Sequence, residues 1–206
     1  MMIISGIKKV GKTNKYKIYV DEQFFATLID EDIIRYDIKT GAEFDDEKLK
    51  DICFQGQKAV ALDQAMKLLG TYPKTEKELK KYLKDKGYVW ETICYVCDKL
   101  KEYKFLSDEM YAEMYIKANS KKKGKRALEF ELKQKGVASS IIREKLENLE
   151  QQDDACFVLA EKYIKGKQKD EKTKQKLYRF LAGRGFDFEL IYSAMNRIFK
   201  DEEFIE

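Results

Sequence analysis

Residues 176–186 read KLYRFLAGRGF, and this stretch recurs in outline at two earlier places in the chain. Gly185 follows Leu177 by eight residues and Leu181 by four, and Phe186 comes directly after it. Leucines four residues apart lie on one face of a helix. A glycine four residues later supplies the left-handed residue that ends many helices, and the apolar residue after it can pack back on the last turn. The stretch therefore predicts a helix that ends at a glycine.

The same arrangement returns every 49 residues, which indicates a tandem repeat. The matching positions are Gly87, Gly136 and Gly185; Leu79, Leu128 and Leu177; Leu83, Leu132 and Leu181; Tyr88, Val137 and Phe186; Ile93, Ile142 and Ile191; and Leu100, Leu149 and Ile198. Thr75, Gly124 and Thr173 stand twelve residues before the glycines and predict the helix N-caps. The period predicts three helices a unit: 57–71, 76–86 and 90–103; 108–119, 125–135 and 140–151; 154–166, 174–184 and 188–201.

The first 56 residues lack this helical period. Apolar residues alternate with polar ones between Ile3 and Val20 and return at 24–28, so that Asp21-Glu22 predicts the turn of a β-hairpin. Short helices are expected after Asp30 and after Asp45 or Asp46, with Gly41 and Gly56 as breaks. The predicted fold is mainly α: three tandem three-helix repeats in an elongated array, with a small N-terminal β-hairpin region. The predicted domains are an N-terminal β-rich extension, 1–56, and repeats at 57–106, 107–153 and 154–206.

Composition narrows the class of protein. The 206 residues are 44% hydrophobic and 13% aromatic, which is too apolar for a disordered chain. No stretch reaches the roughly 18 apolar residues of a membrane span, and the N-terminus has no signal-peptide pattern, so a cytoplasmic location is expected. Residues 1–56 hold 9 basic and 11 acidic side chains, and the rest of the chain holds 32 and 26. The excess of positive charge therefore belongs to the repeats.

Three patterns that suggest chemistry are given other interpretations. Cys94 and Cys97 have the spacing of a zinc or redox pair but lie in an apolar helical pattern, so they are interpreted as core residues, and no metal is expected. Residues 6–13, GIKKVGKT, fit the spacing of a phosphate-binding loop, yet a strand pattern follows them where a helix would be needed. The acidic runs 45–47 and 201–203 are interpreted as caps or ends, although a two-metal nuclease remains a third hypothesis. The chain has no histidine, which excludes histidine-based catalysis.

The repeats resemble those of the RecX family. Residues 72–87 resemble the first RecX repeat, residues 124–137 the second, and residues 176–186 the third, which is the most specific. The resemblance covers roughly residues 57–200, and the β segment is similar to an extension that some members carry. Two departures stand out. Gly183 occupies a place where a basic residue beside Arg184 is more usual, and Val89 lacks the polar cap that Ser139 and Asp187 offer the other units.

The resemblance implies a regulator of the RecA recombinase. Family members bind in the helical groove of the RecA–DNA filament and alter its stability, ATP hydrolysis and strand exchange. The resemblance therefore implies that this chain is a non-enzymatic inhibitor of RecA with no catalytic residue and no cofactor. It would act in homologous recombination, DNA repair and the SOS response. We expect a monomer that binds single- or double-stranded DNA weakly and in a salt-sensitive way. The alternative is a general nucleic-acid-binding repeat module that acts without RecA.

Basic residues of the second and third units are the predicted contacts, because Lys and Arg pair with phosphates and Arg can also pair bidentately with carboxylates. The candidates for binding RecA or DNA are Lys121, Lys122, Lys123, Lys125, Arg126, Lys133, Lys176, Tyr178, Arg179 and Arg184. Two other interpretations stay open. The basic cluster around 117–126 is alternatively a solvated loop, and around 176–184 the aromatic residues Tyr178 and Phe180 are alternatively core, with arginines that only keep the surface soluble.

Overall fold

The computed structural model describes residues 1–147, 149 and 153–199, and the chain divides into two compact units between Ser107 and Asp108. The first unit begins with strands β1 (Met2–Lys9), β2 (Lys15–Val20) and β3 (Gln23–Ile29), helix α1 (Asp30–Arg35) and strand β4 (Glu43–Phe44). It continues with helices α2 (Asp46–Thr71), α3 (Glu76–Asp85) and α4 (Trp90–Glu102). The second unit holds α5 (Asp108–Asn119), α6 (Lys125–Gln134), α7 (Ser139–Glu147), α8 (Asp153–Ile164), α9 (Glu171–Gly183) and α10 (Phe188–Phe199).

The predicted hairpin is confirmed, and it belongs to a four-stranded antiparallel sheet of order β3-β2-β1-β4. Asp21 and Glu22 form its two-residue turn with φ values of 47° and 65°, the left-handed geometry that matches the twist of paired strands. The alternation of the sequence places Ile4, Ile18 and Leu28 in the core that the sheet shares with the start of α2. Asp30 is the first residue of α1 rather than its cap, since Ile29 occupies that place.

Helix α2 differs from the prediction. The sequence suggested a short helix after Asp45 and a separate one from residue 57, whereas a single helix of 26 residues runs from Asp46 to Thr71. Gly56 does not break it, because its missing side chain leaves room for Asp32: a Cβ there would lie 2.3 Å from Oδ2 of that carboxylate. The sheet and the first three-helix repeat therefore share helix α2, and the predicted domain boundary after residue 56 falls inside this helix.

The three-helix units follow the predicted repeat closely. The paired leucines of α3, α6 and α9 have no exposed surface: Leu79, Leu83, Leu128, Leu132, Leu177 and Leu181. The repeat glycines are left-handed, with φ of 87° at Gly87, 89° at Gly136 and 79° at Gly185, and the apolar residue after each is buried. The amides of those residues return to the carbonyls of Leu83, Leu132 and Leu181, which is the helix-ending hydrogen bond that the pattern predicts. The periodicity alone was sufficient here because it reports the buried face of each helix.

The predicted caps are confirmed in two units and wrong in the third. Thr75 caps α3 in a capping box with Glu78, and Gly124 caps α6 without a side-chain hydrogen bond. Helix α9 starts earlier than predicted, because Asp170 caps it by accepting a hydrogen bond of 2.7 Å from the amide of Thr173. The ends of the predicted helices 140–151 and 188–201, and the acidic run 201–203, lie outside the described residues.

Candidate interface formed by two basic segments

The first basic segment joins α5 to α6 and enters the first turn of α6. Lys121 and Lys122 are exposed in the turn, and Lys125 and Arg126 open the helix, whose first turn holds no acidic residue. The amide end of a helix carries partial positive charge, so basic side chains there are unfavourable by themselves. The segment therefore concentrates positive charge at a helix end where the helix dipole does not favour it.

The start of α6 is docked on the end of α9. The amide of Gly124 donates to the carbonyl of Arg184 at 2.9 Å, and the amide of Arg126 donates to the carbonyl of Gly185 at 3.2 Å. These bonds satisfy amides that a helix leaves without a partner at its start, and they replace the side-chain cap that Gly124 lacks. They also bring the amide end of one helix to the carbonyl end of another, which pairs opposite partial charges.

The docking brings the two predicted basic segments together. Arg184 is exposed at the end of α9, with its guanidinium 5.1 Å from the ring centre of Phe180, and it lies beside the loop that carries Lys121 and Lys122. Arg126 reaches across the junction, where its Nε lies 2.7 Å from Oδ1 of Asp187. That partner had no signal in the sequence, because the contact joins residues 61 positions apart. We call this region, residues 121–126 with 176–184, the basic junction.

Side chains on α9 extend the basic junction along one helix. Lys176 and Arg179 are exposed and three residues apart, so they share a face. Tyr178 is 41% exposed and lies outside the core, whereas Phe180 is half-buried and stacks on Tyr163 with ring centres 4.7 Å apart. The interpretation of both aromatics as core therefore holds for Phe180 and is wrong for Tyr178.

Two of the candidate lysines have partners within the fold. Lys123 Nζ lies 2.6 and 2.7 Å from the two carboxylate oxygens of Glu131, which also accepts a hydrogen bond of 2.6 Å from the hydroxyl of Tyr115. Partial burial raises the pKa of Glu131, but these two hydrogen bonds outweigh that effect and hold its pKa below the ordinary value. The bond to Glu131 likewise raises the pKa of Lys123. Lys133 pairs with Glu129 one turn earlier at 2.5 Å.

The other basic side chains of the junction are uncompensated. Among residues 1–147, 149 and 153–199, no carboxylate oxygen lies within 4.0 Å of the charged groups of Lys121, Lys122, Lys125, Lys176 or Arg179. These five, together with Arg184, which also has no carboxylate oxygen within 4.0 Å among the described residues, are the charges of the junction that remain available to a partner. Lys123, Lys133 and Arg126 already have a carboxylate partner inside the molecule.

A buried glutamine that the sequence did not single out organises the first unit. Gln57 is 3% exposed, and its Nε2 donates to the carbonyls of Thr27 at 2.8 Å and Gly87 at 3.3 Å. Its Oε1 accepts from the amide of Val89 at 2.9 Å and the hydroxyl of Thr92 at 3.2 Å. Gln57 therefore supplies the start of α4 with the polar partner that Val89 cannot provide. Its only signal in the sequence would have been a polar residue on the apolar face of α2.

The remaining chemical patterns do not form sites in the described residues. Residues 6–13 end β1 and form the turn before β2, so no helix start faces the two glycines. Within the described ranges, no group of three or more Cys, Asp or Glu side chains is placed to hold a metal ion. Burial raises the pKa of Cys53 to about 12 and that of Cys97 and Cys156 to about 11, as expected for thiols that serve as small apolar residues. Over the part of the chain that the structure describes, none of the helices has the length and apolar character of a membrane span.

Comparison with known proteins gives consistent matches over the whole repeat region. The models for the RecX first, second and third three-helix domains match residues 61–100, 107–146 and 150–195. The Regulatory protein RecX of Clostridium perfringens strain 13 is 36% identical over 195 residues, which cover 92% of both chains. That of Clostridium tetani is 33% identical over 198 residues, again with 92% of both chains covered.

Two solved structures are also similar to this chain. A crystal structure of regulatory protein RecX has a TM-score of 0.62 and 25% identity, with 98% of this chain and 100% of the other covered. The crystal structure of RecX from Lactobacillus salivarius has a TM-score of 0.63 at 21% identity, with 69% of this chain and 96% of the other covered, and supports the likeness in fold.

Proposed function

Because the chain belongs to the RecX family of regulatory proteins, we propose that it binds the helical groove of the RecA–DNA filament and inhibits ATP hydrolysis and strand exchange there. It acts as a monomer and without catalysis of its own. Each three-helix unit buries its leucines in a core of its own and leaves a polar surface, which suits a large partner better than a small substrate.

The observation that carries the proposal is the basic junction. The backbone bonds of Gly124 and Arg126 hold residues of the second repeat beside those of the third, so charges distant in sequence form one surface. Lys121, Lys122, Lys125, Lys176 and Arg179 lack a carboxylate partner among the described residues and are available to phosphates or to acidic side chains of a filament groove.

The first test measures the DNA-dependent ATPase of RecA with the full chain added below the RecA concentration. We expect the protein to suppress hydrolysis. The variant Lys121→Ala/Lys122→Ala/Lys125→Ala should need about tenfold more protein for the same suppression, since each exposed charge contact contributes about 0.5 kcal/mol and three are removed. These three lysines are chosen because they have no carboxylate partner in the part of the chain that the structure describes, and we therefore expect the variant to keep the fold.

The matched control is Lys12→Ala/Lys48→Ala/Lys84→Ala, which removes the same charge from exposed positions of the first unit. It should suppress the ATPase as the wild type does. Equal loss in both variants would mean that net charge alone matters, and it would exclude the basic junction as the contact. Absence of any effect of the wild type, at low and moderate salt, would contradict the proposed function itself.

The alternative is a nucleic-acid-binding module that acts without RecA, and the same uncompensated lysines support it. It predicts tight binding to DNA alone, whereas the regulator predicts weak binding to DNA and a strong effect on the filament. The salt dependence of binding separates them, because each phosphate contact adds about 0.9 to the slope of log affinity against log salt. A slope that falls by about 3 in the triple variant, together with no effect on RecA, would favour the alternative.

A further inference from the structure

A second surface with aromatic and basic side chains lies on α8 and α10, and it shares none of its residues with the basic junction. On α10, Phe188 and Tyr192 are stacked with ring centres 5.9 Å apart and planes 19° from parallel. Phe188 is 61% exposed and Tyr192 is 59% exposed, so a solvent-facing stack of two rings stands on the surface of the third repeat. Burying rings of this size stabilises a fold, and leaving two of them exposed side by side is a mark of an interaction site.

The other repeats show that the fold does not require this pair. In the first repeat, the positions equivalent to Phe188 and Tyr192 hold Trp90 and Cys94. In the second repeat, the same positions hold Ser139 and Arg143. The core position between them is an isoleucine in all three repeats and is 1% exposed in each. The exposed ring stack is therefore a local feature of α10 and not a consequence of the packing that the repeats share.

Two adjoining clefts lie along this surface, and the ring stack lines the first of them. One, with a volume of about 820 Å³, is lined by Phe188, Tyr192, Phe157 and Arg197 among others. The second, of about 460 Å³, shares Phe157 and Arg197 with the first. At their common edge the guanidinium of Arg197 lies 3.7 Å from the ring centre of Phe157, which is stacking distance, and Arg197 remains exposed. Ring and guanidinium planes thus line the two clefts in succession.

The second cleft adds positive charge. Lys162 and Lys165 line it and are exposed, and Lys169 lines it while donating to the carbonyl of Ile198 at 3.0 Å. In the described part of the chain, no carboxylate oxygen lies within 4.0 Å of the charged groups of Lys162, Lys165 or Arg197. Glu161 and Glu189 also line the clefts, one in each. Basic groups therefore outnumber acidic ones along the surface.

We propose that this surface, formed by Phe188, Tyr192, Phe157, Arg197, Lys162 and Lys165, binds single-stranded nucleic acid by stacking of unpaired bases. Proteins that bind single strands without sequence preference combine aromatic faces, on which bases stack, with a basic path for the backbone. Arginine planes serve the same purpose as rings. Base stacking uses the exposed ring faces, and the phosphates between stacked bases meet the uncompensated lysines.

This site is distinct from the basic junction, and its use does not require RecA. A protein partner would also bury the rings, but a succession of ring and guanidinium planes beside exposed lysines matches the combination of base stacking and phosphate contacts by which single strands are bound. The ring stack therefore goes beyond the proposed function and assigns the third repeat a direct contact with unpaired bases.

The test is fluorescence anisotropy with the full chain, without RecA, and a labelled oligothymidylate of about 15 nucleotides, a length that covers one such site. A second probe is an abasic oligomer of equal length, which retains the phosphates and lacks the bases. The variant Phe188→Ala/Tyr192→Ala should bind the oligothymidylate about tenfold more weakly, because stacking contributes that much for each base. Its affinity for the abasic oligomer should not change.

Two further variants keep the result unambiguous. Tyr192→Phe retains the ring and should bind the oligothymidylate as the wild type does. Trp90→Ala removes an equally exposed ring, 60% exposed at the equivalent position of the first repeat, and should have no effect. All four chains are compared by their urea denaturation midpoints, which exposed substitutions should leave nearly unchanged.

Several outcomes would overturn the proposal. No binding of oligothymidylate by the wild type, or equal binding by the double-alanine variant, would exclude a stacking site. Equal loss on both oligomers would assign the effect to charge or folding. Unchanged binding of oligothymidylate together with a lost effect on the RecA ATPase would identify the surface as a protein contact. If the wild type bound oligothymidylate through the rings but had no effect on the RecA ATPase, the proposed function would be contradicted and this site would remain supported.

Discussion

The amide of Gly124 donates a hydrogen bond of 2.9 Å to the carbonyl of Arg184, and this bond holds the two basic segments of the chain beside each other. The approach is so close that a Cβ at residue 124 would stand 2.1 Å from the carbonyl oxygen of Gly185. Glycine is therefore required here by space, since its φ of −77° is open to any residue. The contact explains why a helix without a side-chain cap can begin at this place.

Gly124→Ala should lower the free energy of unfolding by about 1–3 kcal/mol, because the added methyl group forces the backbones of α6 and α9 apart. Urea denaturation followed by circular dichroism measures this change. The matched control is Gly183→Ala in α9, where a Cβ meets nothing within 4 Å, and it should stabilise the protein by about 0.5–1 kcal/mol. Equal stability of Gly124→Ala and the wild type would show that the two helices do not meet as described.

Gln57→Leu should destabilise the first unit by about 2–4 kcal/mol. The change leaves the amide of Val89 and the hydroxyl of Thr92 without their acceptor in a buried place, and each such loss costs about 1–3 kcal/mol. Gln55→Leu, on the exposed side of the same helix, is the control and should change stability by less than about 0.5 kcal/mol. Similar denaturation midpoints for both variants would disprove the organising role of Gln57.

Glu131 should make stability depend on pH in the acid range. Its pKa in the folded protein lies below the ordinary 4.5, because the bonds from Lys123 and Tyr115 outweigh the effect of burial, so the folded state favours the charged form. The stabilisation is therefore complete above about pH 4.5 and is lost as the pH falls through the folded pKa. Urea denaturation between pH 3 and 7 should show Glu131→Gln to be destabilised at neutral pH and equal to wild type at the acid end.

The control for this experiment is Glu129→Gln on the same helix, whose partner Lys133 is exposed. Its difference from wild type should stay small at every pH, since exposed ion pairs contribute about 0–1 kcal/mol. If the stability of the two variants relative to wild type changed with pH in the same way, the stabilising role of the Lys123–Glu131–Tyr115 cluster would be contradicted.

Asp32 should show the opposite dependence on pH. It is 4% exposed, its Oδ2 has no hydrogen-bond partner among the described residues, and burial raises its pKa above 3.8 against the opposing effect of Arg35. The folded state therefore favours the neutral form, and the stabilisation that exists below pH 3.8 is lost as the pH rises through the folded pKa. Relative to wild type, Asp32→Asn should gain stability as the pH rises from acid to neutral, whereas Asp30→Asn at the start of α1 should not. A difference that does not change with pH would contradict the raised pKa.

The helices could be predicted because their signals are local. Leu177, Leu181 and Gly185 lie within nine residues of one another, and a helix records its buried face and its end over that distance. Errors arose where a distant contact overrode a local signal. Gly56 predicts a break, yet α2 continues through it, and the glycine is there because Asp32 occupies the space beside it. Val89 offers no cap, yet α4 begins there because Gln57 reaches it from another helix.

The candidate interface was predicted in its residue types and not in its arrangement. Lys122 and Arg184 are recognisable as basic residues in turns, but the sequence contains nothing that says they share a surface. It also did not separate Lys122, which has no carboxylate partner among the described residues, from Lys123, whose charge is paired with Glu131. Ion pairs are formed by side chains that meet in space, and neighbours in sequence can point to different partners.

Local patterns were sufficient to predict the three-helix repeat, its period and the β-hairpin before it, because alternation, helical spacing and glycine ends are properties of short segments. Which charges have a carboxylate partner among the described residues, where the two basic segments meet and why residue 124 must be a glycine became visible only in the folded chain. Those properties depend on backbone groups of residues 124 and 184 that come within hydrogen-bonding distance only after the helices have packed. These properties are determined by the packing of α6 against α9, and no pattern within one short segment predicts a contact between residues 60 positions apart.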